Sequence, residues 1–453
     1  MTFKRGTGRR ILLAVAIGAV GSVAVASAAS GQHRAAPIKL AILSDCKGAF
    51  ASFFDADIGG AQAAFAKYAG GKAKNPKKAS AGMTGIKLGG RPVKIVGYGC
   101  SDDTAATAVK ETKRLMEGLK ADILIGPLSG DEGIAVANYA KKHPKQTFIN
   151  GTSAAQDTTL QVKAPNFFRF NSDGAQWSAG LGDYAKNTLG WKTAGVISDD
   201  YSFAWTSTGG MIADFCGAGG TIDPANRFYP PLNEPSYDQW AQKMLSAKVD
   251  GFFVGVGGKG LTSLLAAYKA QGGKIDGKKF AGNVFWGDPI QFKELGQDIA
   301  GAVFGGPTYG DSTSAKAKAY SATIAKVYPS LKGSEASVFV YNYYNAAWAL
   351  VMAANATKGD ISGAKLWPAL AKVKVPGAYG DVTLDKNRNG IADNYVSEVQ
   401  KAGDGLAVKT ILRIPKVTQA FGGVFDGSKS PGRDFPTCKT ASLPWVGKAQ
   451  PVG

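Results

Sequence analysis

Two short polar segments carry residue types with which proteins bind small anions. Ser129 and Gly130 lie between a predicted strand and a predicted helix, and Gly151, Thr152 and Ser153 follow the next predicted strand. A carboxylate held between these segments would meet hydroxyl groups, backbone N–H groups and the positive end of a helix dipole. Serine is also an ordinary helix-capping residue. The sequence therefore leaves both an anion site and simple capping open at Ser129 and Ser153.

Catalytic motifs are weakly represented in this sequence. Of its two histidines, His33 lies near the N-terminus and His143 precedes a proline, and neither can be matched to a serine or cysteine nucleophile. No Gly-x-Ser-x-Gly elbow occurs, and two histidines are few for a histidine-based zinc site. Gly255-x-Gly257-x-x-Gly260 is a weak dinucleotide signal on its own. We expect no enzyme activity and no cofactor, and a secreted amidase or hydrolase is the enzymatic alternative.

One loop has part of the pattern of a calcium-binding loop. From Asp385 to Asp393, acid or amide oxygens recur at alternate positions before Gly390. Val396 stands where such loops place a bidentate glutamate, and two basic residues separate the oxygen donors. Asn389 followed by glycine also suits a tight turn between two strands. We assign no metal ligand here and keep calcium as an alternative.

Strands and amphipathic helices alternate along the chain after residue 36. Strands are predicted at residues 38–44, 92–97, 122–125, 146–150, 193–198, 250–256 and 280–285. Helices are predicted at residues 59–68, 104–119, 134–143, 207–217 and 260–271. This alternation indicates βαβ units and parallel sheets. The series begins again near residue 193, and more than 400 residues are too many for one core, so we predict an α/β protein with two Rossmann-like lobes.

The N-terminal segment has the three parts of a secretory signal peptide. Lys4, Arg5, Arg9 and Arg10 precede an alanine-rich apolar run that ends in small residues. The run is short for a membrane span. We expect residues 1–28 to be removed during Sec or twin-arginine export, leaving a periplasmic or secreted chain. Since no cysteine lies near the cleavage site, we expect no lipid anchor.

Four cysteines remain in this exported chain, where disulfides are the default. Cys46 and Cys100 each follow an apolar strand-like run. Three pairings are possible from sequence alone. We favour a Cys46–Cys100 bridge because neighbouring strand ends would bring these residues together, which leaves Cys216 for Cys438.

The chain is strongly basic. Its net charge is +19, and +15 remains without the first 28 residues, which carry four basic and no acidic side chains. The lysines are scattered, apart from those in the loop at residues 72–78, and no nucleic-acid-binding motif is present. We therefore expect a solvated basic surface and no nucleic-acid partner.

Six short segments occur in an order typical of one protein family. They are IKLAIL at 38–43, GGAQAA at 59–64, IGPLS at 125–129, NGTSA at 150–154, NFFR at 166–169 and GAYGDVTLD at 377–385. With them, the chain resembles the periplasmic solute-binding proteins of ABC importers, in the branched-chain amino acid and amide (Leu/Ile/Val-binding) family.

The resemblance implies a type I periplasmic binding fold, in which three hinge crossings join two lobes. By this resemblance the crossings fall near residues 168–172, 301–308 and 375–380. Lobe 1 would comprise residues 37–168 and 305–375, and lobe 2 residues 169–304 and 376–435. Residues 436–453 are expected to form an irregular tail.

The resemblance also assigns roles around the interlobe cleft. It gives the two polar segments to the carboxylate and amine ends of a solute. Tyr201 is similar to an aromatic lid, and Asp288 takes the place of an acid that pairs with the solute amine, although an acid before Pro289 is also a common turn residue. Phe53, or its neighbour Phe54, is expected at the near rim.

The expected function follows from this family. The protein would be the extracytoplasmic substrate-binding component of an ABC transporter, a monomer that captures an amino acid or amide by hinge closure and delivers it to membrane permease subunits. The cleft loops do not closely match a leucine-binding pattern. A sensory or aromatic-acid-binding receptor on the same fold is therefore the alternative.

Overall fold

The computed structural model describes residues 36–452, and the predicted signal peptide lies outside this part of the chain. The strands are β1 Ile38–Asp45, β2 Lys72–Ala73, β3 Met83–Thr84, β4 Lys87–Leu88, β5 Arg91–Ser101, β6 Ile123–Ile125, β7 Thr147–Ile149, β8 Phe167–Phe168, β9 Ala194–Ser198, β10 Arg227–Phe228, β11 Gly251–Gly255, β12 Phe280–Gly282, β13 Val303–Gly306, β14 Val375–Gly377, β15 Gly380–Leu384, β16 Gly390–Ala402, β17 Gly405–Val417 and β18 Gln450–Pro451.

The helices are α1 Phe54–Ala69, α2 Ala105–Lys113, α3 Gly130–Lys142, α4 Asp157–Leu160, α5 Leu181–Asn187, α6 Ser202–Gly217, α7 Asp238–Ser246, α8 Gly258–Ala270, α9 Phe292–Leu295, α10 Ala315–Val327, α11 Val338–Ala356 and α12 Gly363–Ala371. Within residues 36–452, no helix combines the length and the apolar character that crossing a membrane requires.

The first sheet has six strands in the order β4-β5-β1-β6-β7-β8. All neighbours from β5 to β8 pair in parallel, and β4 adds a short antiparallel edge. Seven of the eight residues of β1 are buried, as expected for a central parallel strand that helices cover on both faces. The predicted α/β architecture with a parallel sheet is confirmed here.

The second sheet is mixed. Strands β10-β9-β11-β12-β13 are parallel neighbours, and β16 then pairs antiparallel with β13, β15 and β17. The strand predicted at residues 280–285 was too long, because it ends at Gly282. The Asn283 side chain accepts a hydrogen bond from the Phe285 N–H and begins a 3-10 turn over Val284–Gly287.

The C-terminal helices α10 to α12 pack with the N-terminal strands and helix in one core. Ile42 and Phe65 from the start of the chain belong to the same buried cluster as Tyr344 and Leu350 of α11. Helices α1 and α11 approach closely at Gly60, where an added Cβ atom would lie 2.2 Å from the backbone oxygen of Val340. The helix contact therefore depends on the absence of a side chain at this position.

We expect Gly60→Ala to destabilise the protein by about 1–3 kcal/mol. The methyl group would overlap the α11 backbone, and overpacking in a dense core costs about this much. The measurement is the change in urea unfolding midpoint. Gly118→Ala is the matched control because no atom lies within 4 Å of its added Cβ, so it should be neutral or slightly stabilising. Equal effects of the two substitutions would contradict the close helix contact.

Two disulfides join the residue pairs that the sequence favours. Cys46 is bonded to Cys100, and Cys216 is bonded to Cys438. The second bond attaches the C-terminal segment to α6. The indole N–H of Trp445 donates to the buried Asp214 carboxyl at 2.6 Å in the same region. The C-terminal segment thus completes the packing around α6.

Arg169 is a fully buried connection between distant parts of the chain. Its guanidinium donates to the Asn389 side-chain oxygen at 2.6 Å, the Ala155 carbonyl at 2.6 Å and the Thr159 hydroxyl at 2.7 Å. The Asp173 carboxylate lies 3.8 Å away and supplies the opposite charge. These bonds hold the segment after β8 against the loop before β16.

The same loop contains the partial calcium pattern. The Asp385 carboxylate accepts the backbone N–H groups of Asn387 at 2.7 Å and Asn389 at 3.0 Å, and the Asn389 oxygen faces Arg169. In residues 36–452, no group of three or more His, Cys, Asp or Glu side chains is arranged to hold a metal ion. The loop forms a turn stabilised by its own side chains.

Candidate functional site

A small cavity lies where loops that follow strands of both sheets meet. Its volume is about 20 Å³, little more than one water molecule requires. This is below the roughly 300–1,000 Å³ of pockets for drug-sized ligands. The walls of the cavity must therefore separate to admit a solute.

Three residues form the polar side of the cavity: Ser129, Gly130 and Thr152. Ser129 is the N-cap residue of α3, yet its side chain makes no capping hydrogen bond. The hydroxyl oxygens of Ser129 and Thr152 are buried, and neither has a hydrogen-bond partner in the described chain. A buried hydroxyl without a partner is costly. Both hydroxyls are thus available to a solute, and simple capping does not explain Ser129.

Two further predicted residues shape this side without lining the cavity. Gly151 lies against the ring of Tyr343, and Ser153 lies against Gly133 of α3. The Asn150 side chain donates to the carbonyl oxygens of Gly151 and Ser153, at 3.1 and 2.8 Å. These contacts fix the loop that presents Thr152.

The other walls are mostly aromatic. The six aromatic lining residues are Phe50, Trp177, Tyr201, Phe203, Phe285 and Phe339. Phe50 and Phe285 stack across the cleft with their ring centroids 5.3 Å apart, and Trp177 meets Phe203 edge-on at 5.8 Å. Aromatic rings favour offset or edge-on packing with other rings. The cavity thus combines a hydroxyl-bearing end with a surface suited to a flat apolar group.

Two predicted residues lie outside the cavity lining. The Asp288 carboxyl accepts hydrogen bonds from the Ser337 hydroxyl at 2.8 Å and from the Ile290 N–H at 2.9 Å. Burial raises the pKa of Asp288 to about 6. Phe53 is buried and stacks on Phe339 at 3.7 Å. Asp288 therefore anchors the start of α11, and Phe53 supports a wall that Phe339 presents.

Contacts across the cleft hold its two sides together. The Asp131 carboxylate in the first turn of α3 accepts the Ser202 N–H at the start of α6, at 3.2 Å. The Lys259 N–H contacts the Ala49 carbonyl at 3.4 Å. A Cβ atom on Gly130 would lie 2.7 Å from the backbone nitrogen of Phe203. Glycine at this position permits the close approach of the two helix starts.

Sequence reasoning missed most of the aromatic wall. Phe50 and Phe203 lie within three residues of the predicted Phe53 and Tyr201, so their positions after strands offered a usable signal. Trp177 and Phe339 come from a short 3-10 turn and from α11. Only the tertiary fold brings these two residues to the cleft.

The fold and the cavity define a two-lobed solute-binding protein of the type I periplasmic class. The profile of a family described as "Periplasmic binding protein" matches residues 37–404. The chain therefore belongs to the periplasmic binding protein family, a class of solute-binding proteins. No curated protein sequence matches it.

Solved structures with the same fold include a solute-binding protein of an ABC transporter from Rhodopseudomonas palustris HaA2, in complex with p-hydroxybenzoic acid. It is 19% identical, has a TM-score of 0.72, and the match covers 85% of this chain and 98% of that one. A second R. palustris solute-binding protein, in complex with benzoate, is 20% identical with a TM-score of 0.69 over 83% and 98% of the chains. A leucine-binding protein from Thermotoga maritima is 18% identical with a TM-score of 0.68 over 83% and 99%.

Proposed function

We propose that this protein is the extracytoplasmic binding component of an ABC importer for small aromatic monocarboxylates. The observation that carries the proposal is the pair of partnerless hydroxyls, on Ser129 and Thr152, opposite a wall of aromatic rings. Hydrogen bonds to a charged acceptor are stronger than those between neutral groups. The solute carboxylate would bind the hydroxyls beside the N-terminus of α3, and its ring would lie among the aromatic side chains.

An amino acid is the second candidate solute, since the sequence resemblance pointed to it. A buried ammonium group is most stable beside an opposite charge, and within the described chain no carboxylate lines the cavity. The acid expected to pair with an amine, Asp288, is occupied by Ser337. These two observations favour an aromatic monocarboxylate over an amino acid.

The remaining parts of the proposal concern organisation and location. The lobes would comprise residues 37–168 with 305–375 and residues 169–304 with 376–435, supported by the packing of α10 to α12 with the first sheet. Export would remove residues 1–28, and the closed monomer would dock on permease subunits. Capture would proceed without catalysis. Membership of the periplasmic binding protein family supports the extracytoplasmic location and the capture of a solute.

A thermal-melt comparison tests the solute class. The chain from residue 29 is unfolded and refolded to remove any bound solute, then melted with benzoate, benzamide, leucine or glutamine. We expect benzoate to raise the melting temperature by several degrees, because ligand at 100 times its Kd stabilises the native state by about 2.7 kcal/mol. Benzamide keeps the ring and lacks the charge, so it should give a much smaller shift. A shift with leucine and none with benzoate would refute the aromatic assignment.

A further inference from the structure

Three carboxyl groups form a buried cluster beside the first turn of α3. Asp45 ends β1, Asp103 follows β5, and Glu132 belongs to α3, and none is more than 3% exposed. The Ser101 hydroxyl donates to Glu132, and the Ala49 N–H donates to Asp103 at 2.6 Å. The cluster thus lies directly behind the helix start that carries Ser129 and Gly130.

In the described part of the chain, no N–H or O–H group donates a hydrogen bond to the Asp45 carboxyl. Both of its carboxyl oxygens are buried without a partner in residues 36–452, and its polar neighbours are the carboxyls of Glu132 and Asp103. A carboxylate only accepts hydrogen bonds, so two such groups bond to each other only when one carries a proton. No salt bridge in the described chain includes any of the three. The contact between these three carboxyl groups is therefore favourable only if they share at least one proton.

The surroundings disfavour full ionisation of the cluster. Burial raises the pKa of Asp45 well above its ordinary value, and the charges of Glu132 and Asp103 raise it further. Burial also raises the pKa of Glu132 to about 7 and that of Asp103 to about 6. Burial and mutual repulsion thus disfavour a state of the cluster in which all three carboxyls are charged.

Within residues 36–452, the groups that act on the three carboxyls include no cation. The titratable groups that interact with it are Asp57 of α1, Asp102 beside β5, Asp199 and Tyr201 after β9, and Tyr343 of α11. All of these are acidic or neutral. The nearest lysine in the adjoining loop, Lys47, is exposed and acts on Asp102. An anion that arrives at Ser129 therefore adds negative charge to an already acidic region.

We propose that capture of a carboxylate solute is coupled to uptake of a proton by Asp45, Asp103 and Glu132. This inference rests on the proposed function, because it places the solute anion at the N-terminus of α3. The proton comes from solvent and is shared between carboxyl oxygens of the cluster, so no bond of the solute changes. These three positioning residues make the protein selective for an anion together with a proton, and binding tightens as pH falls.

Calorimetric titration with benzoate tests this coupling. At pH 7, the binding enthalpy is measured in two buffers of different ionisation enthalpy, and the difference gives the number of protons taken up. We expect a net uptake of up to about one proton per benzoate and an affinity that rises by up to about tenfold per pH unit between pH 8 and pH 6. Benzoate stays ionised throughout, since carboxyl groups titrate near about pH 4.

Variants separate the cluster from general effects. Asp45→Asn and Glu132→Gln should each lower the proton uptake and weaken the pH dependence, because fewer carboxyl oxygens remain to share the proton. The exposed Asp298→Asn should leave both unchanged, because Asp298 pairs with Lys269 on the surface. Binding of benzoate with zero proton uptake by the wild-type protein would overturn this inference and leave the proposed function standing. Absence of benzoate binding would instead overturn the proposed function. If the cluster variants fail to fold, zero proton uptake by the wild-type protein still overturns the inference.

Discussion

Replacing Ser129 by alanine is expected to weaken benzoate binding by about tenfold to a hundredfold. A hydrogen bond to a charged group contributes about 1.5–3 kcal/mol, and each 1.4 kcal/mol changes affinity about tenfold. The unliganded protein should lose no stability, since the Ser129 hydroxyl has no partner to lose. Titration calorimetry measures the affinity, and urea unfolding measures the stability. A loss of benzoate affinity without a loss of stability would indicate that Ser129 binds the solute and has no structural role.

Ser153 provides a closely matched control for this experiment. Its hydroxyl is also buried without a partner, but Ser153 lies against Gly133 and does not line the cavity. Ser153→Ala should therefore leave the benzoate affinity within about twofold of the wild-type value, because changes that leave binding contacts intact have small effects. A larger loss with Ser153→Ala than with Ser129→Ala would show that the polar end of the site has been misplaced.

Arg169→Met is expected to destabilise the protein by about 3–5 kcal/mol, the cost of breaking a buried ion pair by removing one partner. The substitution leaves the buried Asp173 without its cation and removes the donor to the Asn389 oxygen. The measurement is the free energy of unfolding in urea. Arg114→Met is the exposed control, because its pair with Glu111 is a surface contact and such pairs contribute about 0–1 kcal/mol.

A double variant identifies the cause of the Arg169 effect. In Arg169→Met/Asp173→Asn, the unpaired buried charge is removed, and the asparagine oxygen can still accept from the Gln176 N–H that Asp173 binds at 3.0 Å. We expect this variant to be more stable than Arg169→Met alone. If it is less stable, the loss of packing around Arg169 contributes more to the destabilisation than the unpaired Asp173 carboxylate does.

Local patterns in the sequence predicted much of the α/β framework. The apolar run at residues 38–44 predicted a strand, and the spacing of apolar residues at 104–119 predicted a helix. Both patterns involve residues that are close in the sequence, and β1 and α2 occur there. The predicted helix at 104–119 ends in a π-helix, Arg114–Gly118, which the spacing of apolar residues did not predict. Helices α10 to α12 were not assigned, and their docking depends on contacts such as Gly60 against Val340 that join distant segments.

The same distinction holds for the candidate site. Ser129 and Thr152 follow strands, and the carboxyl ends of parallel strands meet at one edge of a sheet, so their positions could be predicted. Asp288 also follows a strand, but its hydrogen bond to Ser337 depends on where α11 packs. Phe339 reaches the cavity from α11 for the same reason. Local sequence patterns therefore could not predict the roles of residues whose contacts depend on packing between distant segments, on either side of the cleft.

The attachment of the C-terminal segment to α6 has a consequence for the order in which the chain is made. Asp214 is synthesised 231 residues before Trp445, its hydrogen-bond partner. Cys216 likewise cannot form its disulfide until Cys438 has been synthesised. A nascent chain that has not reached these residues leaves part of the α6 surface uncovered and one oxygen of the Asp214 carboxyl without the Trp445 donor. The packing around α6 is therefore completed only after translation has passed Trp445, and a chain that stops earlier exposes part of this surface.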